Sequence, residues 1–503
     1  MSPWHPAGRS SSSAAPAAKD APSGWHCSRR GWFCALGSAA AAWFLAAKRA
    51  TSRQAAPGPR IHLLDGSREP ALKLQLDRRG TLSWSSGQQR RQSTWRNLWH
   101  WGTPLDPLAS LAAIVGVSRF MVQQWHRWRT PADVTVLQGF AASPEVLRSP
   151  RPGNVQVAFQ AGGAPPLRLY PGDSAYVLLP EGGLIVGDLR AAARGHLGLV
   201  SVLGRKLELP WSQVAGVLIA PPGDPLQAAA WEVQVRNHQG PGDRCLLTNG
   251  DQLRGTVVSL DRQQLQIRLA SGQVTVPLKR VKLVALDPKL FPPLPQAAPR
   301  VAWLGLMDGS ILPVSHLLLS GQEVQCRLLG IQPLRFRQRE LVWVQPRHQH
   351  APFLSDRPPD RFRHVPLFRA AWPLQRDRNA GGGLLRAGGR RWLKGLGMHS
   401  LSQATYLLRR PAQRLLAYVA VDDQAGPRGA VVFRVVTFHR TGQGVQKKIA
   451  YTSPAIRRGE EPQLVNVSLE DAAAVSLVVQ YGPGGDQHDW ADWLSPVLVY
   501  SSS

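Results

Sequence analysis

Apolar residues along this chain fall into short runs, many alternating with polar residues, and Gly, Asp, Asn and Pro punctuate the gaps. The clearest stretch starts at Thr248-Asn249-Gly250-Asp251, a tight-turn signal. Beyond it, 256–260, 264–269, 274–277 and 281–286 alternate or run β-branched and apolar, with Asp261-Arg262 and Ser271-Gly272 between them. Each run is too short for a helix, so the segment predicts a row of antiparallel strands. Self-comparison finds the same grammar elsewhere. One copy begins at Pro171-Gly172-Asp173, passes Gly182-Gly183-Leu184-Ile185-Val186-Gly187 and 197–203, and closes through Leu207-Glu208-Leu209-Pro210-Trp211 and 214–219. Another starts at Met307-Asp308-Gly309-Ser310, crosses 321–328, and ends with Leu334-Arg335-Phe336 and 340–344. A weaker first copy opens at Leu64-Asp65-Gly66-Ser67, carries 72–76 and 81–84, and ends near Leu98-Trp99.

The pattern predicts small β units at 61–104, 170–222, 243–288 and 300–346, with a connecting region at 105–169. A unit of that size buries little by itself, so it either curls into a small barrel or leans on its neighbours. The units resemble the Sm-like or SH3-like barrels found in tandem in large exported bacterial proteins, planctomycete ones especially. Nucleic-acid binding is the sharp functional reading of an Sm-like barrel, and aromatic residues interleaved with basic ones on one face would support it. Trp95, Arg96, Trp99 and Trp101 sit at a strand exit, where a core role is the simpler account. In the connecting region, Leu105, Leu108, Leu111, Ile114 and Val115 recur three or four apart, which fits a short amphipathic helix or an irregular connection. Pro221-Pro222-Gly223, 288–299 and 346–359 read as Pro-rich linkers.

From Arg361 the character changes. Strand-like runs at 403–408, 414–421, 430–437, 448–451, 463–468, 475–481 and 496–500 make an antiparallel β-sandwich or jelly roll over 361–502. Three motifs stand in order along it: Lys394-Gly395-Leu396-Gly397-Met398-His399-Ser400, then Val421-Asp422-Asp423 with Gly429-Ala430-Val431-Val432-Phe433-Arg434-Val435, then Asp489-Trp490-Ala491-Asp492-Trp493. In order and spacing the region resembles the carbohydrate-binding module attached to glycosyl hydrolase family 98 and related exported proteins. That resemblance implies a galactose-binding-like jelly-roll fold and contact with glycan. The fold class expected for the whole chain is therefore all-β, with tandem small SH3-like or Sm-like units ahead of a C-terminal jelly-roll sandwich.

The module's polar and aromatic residues admit two readings each. His399 either hydrogen-bonds a sugar hydroxyl or ties down a loop. Asp422 and Asp423, where a strand meets a loop, either hold a structural Ca²⁺ or cap a turn. In an extended chain Trp490 and Trp493 point to opposite faces, so one is core and the other is free to stack on a sugar beside Asp489 and Asp492. Tyr406, Tyr418 and Phe433 read as core.

Composition narrows the function classes. Charged residues are 18% of the 503, yet 60 are basic and 32 acidic, for a net charge of +28. That balance suits an anionic partner, although a chain so rich in Arg, Ala, Gly and Pro also reflects a GC-rich genome. Cys27, Cys34, Cys245 and Cys326 have no metal-type spacing and support no disulfide framework. Residues 1–60 read as a disordered leader followed by an export signal or anchor: Arg29-Arg30 precedes an apolar run at 32–47, which stops at Lys48-Arg49. The twin arginine resembles a Tat signal, and an uncleaved anchor is the alternative to a cut signal. No Gly-x-Ser-x-Gly elbow, phosphate loop or His-Glu-x-x-His helix is present, and no carboxylate pair announces glycoside hydrolysis. His348-Gln349-His350 lacks further metal ligands nearby. The expectation is a non-catalytic exported protein of periplasm or cell surface that binds polysaccharide, anionic glycan included, with no cofactor beyond a structural calcium. Nucleic acid is not an expected partner, and a membrane is one only through the anchor. A structural or protein-interaction role in the cell envelope is the alternative.

Overall fold

The computed structural model describes residues 59–103, 175–192, 195–201, 204–222, 225–290, 301–330, 332–366 and 371–501, and the backbone of strands Thr135–Gln138, Glu145–Arg148, Val157–Phe159 and Leu167–Leu169. The leader, the apolar run at 32–47, the helix expected at 105–115 and Pro171-Gly172-Asp173 lie outside them. Among the described residues strands dominate, and Pro225–Arg236 is the one α-helix.

The small units share one pairing scheme, in which the first strand lies between the second and the last. Arg60–Leu63 pairs with Arg68–Pro70 and Leu98–Gly102, and Ala175–Leu178 with Leu184–Arg190 and Gly216–Leu218. Asp243–Leu247 pairs with Gln252–Leu260 and Val281–Ala285, and Ala302–Leu306 with Ile311–Ser320 and Leu341–Pro346. A single 3-10 turn precedes each last strand. Its first N–H reaches a carbonyl across the unit: Trp95 to Gly80, Trp211 to Gly195, Leu278 to Gln263 and Gln338 to Gln322.

The Gly- and Asp-bearing motifs are the turns between first and second strands. Leu63 N–H bonds to Ser67 O, Leu247 to Asp251 and Leu306 to Ser310. Gly66, Gly250 and Gly309 take φ of +88°, +96° and +83° there, a region that favours glycine. Asp65 and Asp308 accept the N–H groups of Ser67 and Ser310 and so close their own turns. In the second unit the equivalent bond runs from Leu179 to Gly183, later than the Pro171-Gly172-Asp173 start suggested by the sequence.

Each unit's last strand also pairs with a neighbour's. Leu98–Gly102 lies along Leu341–Pro346, and Gly216–Leu218 along Val281–Ala285. Edges that would be exposed on a lone unit are thereby covered, and one apolar core runs through all four units. Cys245 and Cys326 are free and buried in that core, and burial pushes both thiols up to about 12. The helix Pro225–Arg236 follows the second unit, just past the Pro221-Pro222-Gly223 linker, in a stretch for which the sequence pattern predicted no element. It packs close because Gly216 has no side chain; a Cβ there would meet Val235 Cγ1 at 2.4 Å.

The C-terminal region folds into two facing antiparallel sheets. One runs Arg361–His364, Ser402–Leu407, Ala472–Tyr481, Ala430–Thr441, Gly444–Thr452, with Ile456–Arg457 alongside Ala430–Thr441. The other runs Gln375–Arg376, Gly395–His399, Trp490–Tyr500, Ala412–Val421, Gln463–Ser468. Tyr406, Phe433 and Trp493 fill the space between them. The second sheet's outer face is covered too: Leu416, Tyr418, Leu494 and Val497 share a core with Leu64, Trp99, Leu184 and Trp303 of the small units. Every residue of Trp490–Tyr500 after Trp490 is consequently buried, as in strands packed on both faces. The stretch 346–359 is no free linker. Ala351, Phe353 and Leu354 are buried, and His348 and His350 bond to the carbonyls of Leu98 and Arg96 at 2.8 and 2.9 Å.

Polar groups pin this contact. Glu232 on the helix receives Arg391 through two bonds of 2.9 and 2.6 Å and Arg236 at 2.6 Å, all three side chains nearly buried. Burial, the largest single effect, pushes the Glu232 carboxyl up, but the two guanidiniums together outweigh it and hold the pKa down at about 2. Tyr418 Oη lies 2.6 Å from His62 Nδ1, and the His62 and His100 rings stack at 4.2 Å.

Two outcomes follow from this contact. Glu232→Ala should destabilise the fold by about 3–5 kcal/mol, since it strands two buried cations. Replacing Glu232 and Arg391 together by Leu and Met should cost less, and denaturant titration of both variants measures the difference. Burial, then Arg68 and Arg60, lowers the His62 pKa from 6.5 to about 4, and burial holds His100 well below 6.5. Both folded pKa values lie below 6.5, so the contribution is complete above pH 6.5 and declines as pH falls, for His62 toward about 4. A His62→Gln variant should show a shallower acid decline in the same titration repeated across pH.

Candidate functional site

Strands Gly395–His399 and Trp490–Tyr500 pair so that His399 stands opposite Trp490 and Gly397 opposite Asp492. Strand alternation then sorts the last motif. Ala491 and Trp493 face the core between the sheets, where Trp493 meets Phe433 edge-on at 5.3 Å. Trp493 is thus fully enclosed and has no free face for a sugar. Trp490 is half-buried and stands at the end of its strand. Gly381 leaves room for its ring, since a Cβ on Gly381 would meet Trp490 Cη2 at 2.4 Å.

An aromatic cluster surrounds Trp490. Trp372 stacks on His399 with ring centroids 4.7 Å apart and planes 10° from parallel, and it is tilted against Trp490 at 6.3 Å. His364 meets the edge of His399 at 6.0 Å, and its Nδ1 accepts the backbone N–H of Trp372 at 3.2 Å. His399 is 6% exposed, while His364 and Trp372 are half-buried. Burial lowers both histidine pKa values, and His364 lowers that of His399 further. Neutral imidazoles present one donor and one acceptor each.

The carboxylates lie behind this rim. Asp489 is fully buried; Oδ1 accepts Ala430 N–H at 3.0 Å, Oδ2 has no hydrogen-bond partner, and burial raises its pKa to about 6. Asp422 Oδ1 accepts Asn379 Nδ2 at 3.1 Å and Gln424 N–H at 2.8 Å, and Oδ2 accepts Arg386 N–H at 2.9 Å. Asp423 Oδ2 accepts Gly389 N–H at 2.8 Å. Asp422 and Asp423 therefore brace the loop that carries Asn379, Arg386 and Gly389. Among the described residues, no group of three or more His, Cys, Asp or Glu is arranged to hold a metal ion. Asp492 is wholly buried, and neither of its oxygens has a partner of ordinary geometry. Burial, then the charges of Asp422 and Asp423, raise its pKa well above the ordinary carboxylate range.

Trp372, His364 and Asn379 are not marked in the sequence. Trp372 stands ahead of Pro373 with no periodicity around it, and its meeting with His399 depends on a loop crossing that no local spacing encodes.

A family model for the NPCBM/NEW2 domain matches residues 352–499. The C-terminal region is an NPCBM/NEW2 domain. It takes in Phe353 and Leu354, placed by the sequence reading in a linker. A Renibacterium salmoninarum protein provisionally named endo-alpha-N-acetylgalactosaminidase is 29% identical over 136 residues, which are 26% of this chain and 8% of that protein. The match thus spans a small part of the relative's length. A CBM51 module of a Clostridium perfringens GH95 protein, solved in complex with methyl-galactose, is 18% identical, covers 29% of this chain and 99% of its own, and gives a TM-score of 0.25. The tandem CBM51 modules of a Streptococcus pneumoniae family 98 glycoside hydrolase are 16% identical, cover 46% of this chain and 62% of theirs, and give a TM-score of 0.26.

The raised pKa of Asp492 predicts how the NPCBM/NEW2 domain responds to pH. Its folded pKa is raised, so the contribution is complete below the unfolded value of 3.8 and is lost as pH rises toward the folded one. Asp492→Asn removes the buried ionisable group. It should gain stability over the parent as pH rises above 3.8, read from denaturation midpoints at each pH.

Proposed function

We propose that this is an exported, non-catalytic carbohydrate-binding protein whose NPCBM/NEW2 domain recognises glycan at the rim built from Trp372, Trp490, His364 and His399. The observation that carries the reading is the half-buried pair Trp372 and Trp490 beside neutral histidines at one end of the sandwich. Aromatic planes stack on the apolar face of a sugar, and imidazole nitrogens order its hydroxyls. The domain family supports glycan as the ligand class.

The non-catalytic part of the reading is supported by the state of the acids. Glycoside hydrolysis needs two carboxyl groups facing one sugar ring, whereas Asp422, Asp489 and Asp492 are buried and Asp422 is saturated by N–H donors. Export is supported by the basic-then-apolar pattern of residues 28–47, with retention by an uncleaved anchor as the envelope-bound form. The arginine surplus favours sulfated or uronic-acid glycans, which guanidinium groups pair bidentately. A structural role in the envelope is the second reading, favoured by the way the small units cover one whole face of the domain.

Trp490→Ala and Trp372→Ala in the full chain should each weaken binding of a methyl-galactoside, or of the best ligand from a glycan panel, by about tenfold. Calorimetric titration measures the loss, and circular dichroism checks that the variants fold. Retained affinity in both variants would place the ligand elsewhere; no binding to any glycan would favour the structural role; released sugar would refute the non-catalytic reading.

A further inference from the structure

Away from the rim, an open groove of about 620 Å³ lies where the second and fourth small units meet. Its construction is cross-unit. Arg205, beside the turn ahead of strand Lys206–Pro210, pairs with Glu340 in the fourth unit and sets its guanidinium 4.7 Å over the Phe336 ring. Arg205 is thereby held in place, and the Phe336 face is occupied. Arg335 and Arg337 line the same groove from strand Gln332–Arg337. They are two apart, so both stand on one face of the strand, roughly 6–7 Å from each other. Both are exposed, and neither has a salt-bridge partner among the described residues. Glu323, opposite Arg337 in the neighbouring strand, accepts Gln325 Nε2 at 2.7 Å instead.

We propose that this groove is a second binding site, for an anionic polysaccharide segment whose carboxylate or sulfate groups are taken by Arg335 and Arg337. Two arginines rooted at strand spacing can reach successive acidic groups along a polymer, each through a charge-assisted bidentate pair. The groove favours carbohydrate over nucleic acid for two reasons. Its one aromatic ring is already capped by Arg205, which leaves no platform for base stacking. Glu323 and Glu340 interrupt the positive charge, so a phosphate at every step would meet repulsion. The site is independent of the rim, and the full chain would then hold one polymer at two points.

The test titrates the full chain with a sulfated oligosaccharide, a uronic-acid oligosaccharide, a neutral galactoside and single-stranded DNA. Arg335→Ala/Arg337→Ala is compared with Arg78→Ala/Arg79→Ala, a pair outside the groove that removes equal charge, and with Trp490→Ala. Expected is a loss of about tenfold or more for the acidic oligosaccharides in the groove variant alone, with weaker salt dependence and unchanged galactoside affinity. The two acidic probes tell sulfate from carboxylate preference. An equal loss in the Arg78/Arg79 variant would reduce the effect to net charge, tighter binding of DNA would reassign the groove, and an unchanged groove variant would overturn the proposal. Failure of galactoside binding with the acidic arm intact would count against the rim and not the groove.

Discussion

The second sheet of the C-terminal domain is covered on both faces, and the rest of the molecule is arranged around that constraint. On one side Trp493, Val419 and Val421 pack against the opposing sheet; on the other Leu416, Tyr418 and Val497 pack against the small units. A sheet enclosed in this way has no open face on which to receive a ligand. The strand ends and the loops between them remain open, and Trp490 emerges there. The same enclosure makes the polar contacts at the seam costly to break. Glu232, Arg391 and Arg236 have traded water for each other and retain little access to it.

The acidic residues show how burial changes what a motif does. Asp489 and Asp492 belong to a segment that invites comparison with sugar-binding carboxylates, yet both lie beneath the surface, and burial pushes their pKa values up. Asp422 and Asp423 hold the loop carrying Asn379 and Arg386 through the Asn379 side-chain amide and the backbone N–H groups of Arg386 and Gly389.

The four small units solve a size problem by repetition. None has enough apolar residues to stand alone with its edges bare. Pairing last strand with last strand turns four shallow cores into one and closes edges that would otherwise invite association. It also creates junctions between units, and the groove between the second and fourth is one of them.

The sequence by itself determined the strands, their turns and the C-terminal domain. Period-two alternation and turn chemistry are local, so Leu64-Asp65-Gly66-Ser67 and Asn249-Gly250-Asp251 mark their hairpins without reference to anything distant. The Lys394–Ser400 and Asp489–Trp493 motifs marked the domain for the same reason: their spacing is set by strands that pair directly. Less was legible where two surfaces meet. The helix Pro225–Arg236 carries a faint apolar stripe because Glu232 and Arg236 face a partner with charge instead of methyl groups. Residues 346–359 look like a linker until Phe353 finds its place beside Trp303. Only the tertiary structure decided which tryptophan reaches solvent and that Trp372 and His399 share a stack. Those outcomes depend on which faces are covered by chain far away in sequence, and no local pattern carries that information.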